Sequence, residues 1–196
     1  MKIKIVNLLI ATALFSVVSY AEETPDSNAT TSRLSALKEK TSHFALGWSI
    51  NNFSGNYGLG LEMQSPAFFN DIVHLRLSGA YNWVQGTRRG ANSETWSPYG
   101  LFRLGAFSSS FILGTPIRGY GGGGLVLLTP TDSVSTKNVE FGGYGLVGLE
   151  FFLADKNFPL YMELGGIGTG AQADQLERSQ IYANGFLMSW GFRYFL

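Results

Sequence analysis

Six ionisable side chains stand where their neighbours offer little polarity: Glu62, Arg76, Arg103, Glu150, Glu163 and Arg193 each interrupt a stretch of apolar residues and small ones. Three carboxylates and three guanidiniums in one interior would neutralise one another through charge-assisted hydrogen bonds. Such pairing is required there, because a charge buried without a partner is very costly. Arg118 and Glu140 are further candidates for the same set.

Other chemistries find less in this chain. Nucleophilic catalysis needs a nucleophile and a base within hydrogen-bond reach. His74 and Ser78 share a face of an extended segment, but four residues along a strand is about 13 Å. A base from a neighbouring strand would have to replace His74. Gly143-Tyr144-Gly145-Leu146-Val147-Gly148 matches G-x-G-x-x-G, yet a dinucleotide site needs a helix after that turn. Leu149–Leu153 continues a two-residue alternation instead. No G-x-x-x-x-G-K-[ST], H-E-x-x-H or G-x-S-x-G occurs. The absence of cysteine excludes a disulfide framework, a thiolate metal site and a lipid-modified cysteine, and two histidines are too few to suggest a histidine-rich metal site. No metal, cofactor or catalytic residue is expected.

The six charges must be positioned by strands, because the hydrophobic period from His43 onward is two. Phe44, Leu46, Trp48 and Ile50 alternate with small or polar residues in 43–52, as do Tyr57, Leu59, Leu61 and Met63 in 56–64. Segment 72–84 sets Val73, Leu75, Leu77, Tyr81 and Trp83 against His74, Arg76, Ser78, Ala80 and Asn82. A helix would scatter those polar residues around its axis. Segments 96–107, 111–128, 139–153, 160–169 and 182–196 follow, the fourth carrying Pro98 near its start and the fifth interrupted by Pro116 and Gly121–Gly124. The eighth aligns Tyr182, Phe186, Met188, Trp190, Phe192, Tyr194 and Leu196 on one face. The predicted architecture is all-β, with eight strands.

Composition agrees. Glycine makes up 25 of 196 residues, aromatics 14%, and charged residues only 14%, against about 25% in ordinary soluble domains. The start of the chain reads as a secretory leader: basic Met1–Lys4, apolar 5–18, and Ser19-Tyr20-Ala21 before Glu22-Glu23. Its apolar run is shorter than the roughly 20 residues of a membrane-spanning helix. Cleavage after Ala21 removes two of the 14 basic residues and leaves a formal charge of −2. That balance offers nothing to a nucleic acid. Residues 22–42 are polar and read as a periplasmic linker.

The connections separate into two kinds. Ser65–Asp71, Ser108–Ser110 and Ala154–Pro159 are short; Gln85–Thr95, Thr129–Asn138 and Gly170–Ile181 are longer and polar; Ser54-Gly55 is short on the long-loop side. Short turns at one end and long loops at the other is how outer-membrane barrels are built. Strands of about ten residues cross the hydrocarbon layer if the sheet closes. Alternation alone leaves open which face points inward. Size decides it: an eight-stranded interior barely holds its own side chains, so large aromatics repeated along nearly every strand cannot all go inside, whereas the glycines and mixed charges can.

Residues 43–196 resemble the small eight-stranded outer-membrane proteins of the OmpA/OmpX type. The most specific part is 189–196, Ser-Trp-Gly-Phe-Arg-Tyr-Phe-Leu, which is similar to the C-terminal strand signal read by the barrel-assembly machinery. Gly191, Tyr194 and Leu196 occupy its positions, with Leu196 where Phe is usual. The resemblance implies an antiparallel up-and-down transmembrane barrel in the bacterial outer membrane, with membrane lipid and, during biogenesis, the assembly machinery as partners. The expected function is non-enzymatic, with a polar plug and a structural or surface role. A narrow channel for small or hydrophobic solutes, lined by the same charges, is the alternative. A lipid-modifying enzyme is the second alternative. Ligand and oligomeric state are not readable.

Overall fold

A strand that is apolar on one face and polar on the other hides the polar row by closing its sheet, which also removes both open edges. The computed structural model describes residues 43–53, 56–69, 72–111, 116–152 and 157–196, together with residue 35. The leader and linker expected over 1–42 lie outside the described residues apart from Ser35, as does Ser54-Gly55. Among the described residues eight strands follow one another: β1 (Ala45–Phe53), β2 (Asn56–Gln64), β3 (Val73–Thr87), β4 (Glu94–Phe111), β5 (Ile117–Pro130), β6 (Glu140–Phe151), β7 (Leu160–Gly168) and β8 (Gly185–Phe195). Each pairs antiparallel with the next, and β1 with β8 from Ala45↔Phe195 to Phe53↔Leu187, so the barrel is closed.

On every strand but β5, for which the glycines set no phase, the alternation has the expected phase, but several limits move. The hairpin after β3 is shorter than Gln85–Thr95, because Gln85↔Trp96, Gly86↔Thr95 and Thr87↔Glu94 extend the pairing. Ser108–Ser110 is strand instead of turn. Its residues pair with Gly119–Gly121, so the chain reverses between Phe111 and Ile117. Pro98 lies within β4 opposite Trp83, at the point where pairing with β5 ends, a place that tolerates a missing donor. Tyr182 is buried and precedes β8. Left-handed backbone at Ala183 and Gly185 (φ 47° and 99°) breaks the register that would have carried Tyr182 outward.

The interior has three levels. At the end with the short connections, Ala45, Phe152 and Phe195 form an apolar floor. Charged and polar side chains fill the middle. Above them Phe53, Val84, Tyr99, Leu101 and Leu128 pack with Val134, Ala171, Ala173, Leu176 and Tyr182. The last five come from the loops 131–139 and 169–184, which fold over the mouth as a cap. Backbone hydrogen bonds join that cap to its surroundings: Gln175 N to Val134 O at 3.2 Å, Glu177 N to Thr87 O at 2.9 Å and Arg89 N to Gln175 O at 3.1 Å.

Candidate functional site

All six charges singled out in the sequence project into the lumen and are buried, and Arg118 joins them. Arg193 of β8 is the hub. Its Nε donates to Glu62 Oε1 at 2.7 Å and its Nη1 to Glu150 Oε1, while Nη2 lies 3.8 Å from Glu163. Arg118 donates to the other oxygen of Glu150 at 2.5 Å. Arg76 pairs with Glu163, which also accepts from the Tyr120 hydroxyl at 2.8 Å. Five of the six residues therefore form one network with Arg118. Arg103 stands apart, donating from Nε to Ser78 Oγ at 3.0 Å and lying over the Tyr144 ring. Glu140, the other further candidate, is half-buried and pairs with the exposed Lys137 at 2.7 Å.

The aromatics that repeat along the apolar faces are outside, but rings also fill the lumen: Phe53, Tyr99, Phe107 and Tyr120 are buried there beside Tyr161 and Phe195, which share the faces of Glu163 and Arg193. The reason lies in the guanidiniums, which are planar and stack on ring faces. Arg76 lies 4.2 Å from the Phe107 centroid and Arg193 lies 4.4 Å from that of Tyr161. Space comes from glycine: a Cβ at Gly148 on the adjoining strand β6 would overlap the Tyr120 ring, and one at Gly105 on β4, across the intervening β5, the Tyr144 hydroxyl. The sequence did carry this signal. Tyr120 is two residues after Arg118, and hence on its face.

The geometry also bears on catalysis and conduction. His74 is buried and stacked against Phe107 at 6.1 Å, and the Ser78 hydroxyl accepts from Arg103. The two point into the lumen, without contact between them and away from the outer face. No group of three or more potential metal ligands occurs among the described residues. Arg193 is 1% exposed and Glu150 0%, so water scarcely reaches the centre of the network from either end. In the C-terminal segment, Tyr194 and Leu196 project outward and Gly191 lies inside opposite Ser49.

Asp174 makes a titratable contact within the cap. Asp174 accepts the Thr136 amide at 2.9 Å and its hydroxyl at 2.5 Å. The hydroxyl bond holds the Asp174 carboxyl below its usual range. A depressed carboxylate contributes stability above the ordinary aspartate value of about 3.9 and loses it as pH falls through its folded value. An NMR titration should place the Asp174 midpoint below that ordinary value, and Thr136→Val should raise it. A wild-type midpoint at the ordinary value would remove this contact as a latch.

No protein-family model and no curated protein matches the chain. Among solved structures, the N-terminal β-barrel domain of Pseudomonas aeruginosa OprF superposes with a TM-score of 0.52 at 15% identity, covering 79% of this chain and 97% of that one. Ail, the attachment invasion locus protein of Yersinia pestis, superposes with a TM-score of 0.41 at 13% identity over 78% of this chain and 95% of its own. The OprF likeness supports the fold, a closed β-barrel, here of eight antiparallel strands in up-and-down order.

Proposed function

We propose that this chain is an integral protein of the bacterial outer membrane, exported with a cleaved leader, whose barrel is a sealed and non-enzymatic scaffold presenting its loops at the cell surface. The inverted polarity of the barrel carries this reading. Leu61, Leu125 and Phe141 are 71–72% exposed on the outside while four guanidiniums and three carboxylates are buried within. In water that arrangement exposes far more contiguous apolar surface than soluble monomers do; in hydrocarbon it satisfies both faces. Trp48, Tyr57, Tyr81, Trp96, Trp190 and Tyr194 are exposed on the same outer surface, supplying rings for the interfacial girdles.

Cell fractionation tests the location. The protein should be in the outer membrane and change gel mobility on heating; recovery as a soluble periplasmic protein would overturn the assignment. The paired interior favours a plug over a pore. In planar bilayers the wild type should give no discrete openings, and openings that change with Arg76 or Glu163 substitution would establish the channel alternative. Burial of His74 and Ser78 speaks against lipid-modifying chemistry at those residues. Gly191, Tyr194 and Leu196 serve, in this proposal, as the signal to the assembly machinery.

A further inference from the structure

On the outer face, toward the loops, three rings from adjacent strands surround an open groove of about 320 Å³: Tyr57 of β2, Trp83 of β3 and Trp96 of β4. Tyr57 and Trp96 are 6.2 Å apart with their planes at 57°, and Tyr81 meets Trp83 edge-on at 5.1 Å. The rings are splayed around a gap, leaving faces free for a further flat or C–H-rich group. Below them the surface is apolar, with Leu59, Leu61, Leu77 and Phe102 exposed.

Two residues further along the same strands the chemistry changes. Gln85 lies opposite Trp96 in the register, and Glu94 opposite Thr87. Gln85, Glu94, Glu177, Arg178 and Gln180 line a polar recess of about 120 Å³ between the β3–β4 hairpin and the last loop. Gln85 Nε2 donates to Glu94 at 2.8 Å, and Gln180 Nε2 to the Gln85 carbonyl at 2.7 Å, so these groups are held in place. Exposed Arg88 and Arg89 follow at the hairpin, Arg89 fixed by its bond to Ser179 Oγ at 3.1 Å.

From the hydrocarbon belt outward the order is alkyl groups, ring faces, amides with carboxylates, then guanidiniums. We infer that this face binds one lipid with a phosphorylated sugar headgroup, acyl chains along the apolar strip, a sugar ring against Trp83 and Trp96, hydroxyls at Gln85 and Glu94, and phosphate toward Arg88 and Arg89. Continuity with the apolar belt favours a lipid over a free saccharide. The two exposed guanidiniums favour an anionic group at that end of the site. The inference rests on the membrane placement proposed above.

The test uses the full barrel in phosphatidylcholine nanodiscs containing a phosphorylated glucosamine-disaccharide lipid, its dephosphorylated form, or phosphatidylglycerol, with retained lipid counted by native mass spectrometry. The phosphorylated glycolipid should be retained about tenfold over phosphatidylglycerol, and Trp96→Ala should lose about tenfold for both glycolipids. Arg88→Ser with Arg89→Ser should narrow only the gap between the phosphorylated and dephosphorylated forms. Equal retention of phosphatidylglycerol, or an unaffected Trp96→Ala, would overturn the site. Full competition by the water-soluble phosphorylated disaccharide would reassign it to a free saccharide. Failure of the barrel to enter nanodiscs overturns the membrane reading and this one together; entry without lipid preference overturns this one alone.

Discussion

Replacing Arg193 with Met should destabilise the folded barrel by about 3–5 kcal/mol, read as a lower urea midpoint for unfolding from phospholipid vesicles. Arg193 bonds Glu62 and Glu150 and covers the Tyr161 ring. The two carboxylates differ in what they lose. Glu150 keeps Arg118 at 2.5 Å, whereas Glu62 has no other ion pair among the described residues. Most of the loss is thus the cost of a stranded carboxylate at Glu62, and adding Glu62→Gln should restore much of it. A single variant as stable as the wild type would mean that the network contributes nothing to the fold. A double variant no better than the single would place the loss in packing against Tyr161 instead.

Leu61→Arg should cost about 2–4 kcal/mol in a bilayer, the range for a basic residue near the midplane of a barrel's lipid face. Leu61 is 72% exposed and sits on the outer row of β2 between Leu59 and Met63. At a water-exposed site free of special contacts the same change would stay within about 0.5 kcal/mol, so this one variant separates the two environments. It should unfold at lower urea in vesicles and insert less completely on refolding. Unchanged stability would show that this row does not face hydrocarbon.

What was legible in the residues was phase; distance along the chain was less so. Period two put Arg76, Glu163 and Arg193 on the inner face because each alternates with large apolar neighbours. Arg118 was harder, since Gly119 and Gly121–Gly124 lack side chains to mark a face. Strand ends were misjudged where polar residues are strand by virtue of a partner, as at Ser108–Ser110 opposite Gly119–Gly121. The cap was not readable. Val134, Ala171 and Leu176 stand in polar loops, and their burial depends on contacts between segments far apart in the chain. Which carboxylate meets which guanidinium depends on barrel closure in the same way: the Arg193–Glu62 pair joins residues 131 apart.

Those pairings also constrain the order of events in assembly. Glu62 on β2 meets its guanidinium on β8, Arg76 on β3 meets its carboxylate on β7, and Asn51 on β1 accepts from Ser189 on β8 at 2.7 Å. Each of these contacts bridges the start of the barrel to its end. In the membrane placement proposed above, hairpins crossing one after another would carry Glu62 and Arg76 into hydrocarbon before Arg193 and Glu163, which bond them, had arrived. The cheaper route is concerted, with translocation of the early strands waiting until the late ones are beside them. On that route, and in the membrane placement proposed above, entry and sealing would be a single kinetic step without accumulation of a half-inserted ribbon.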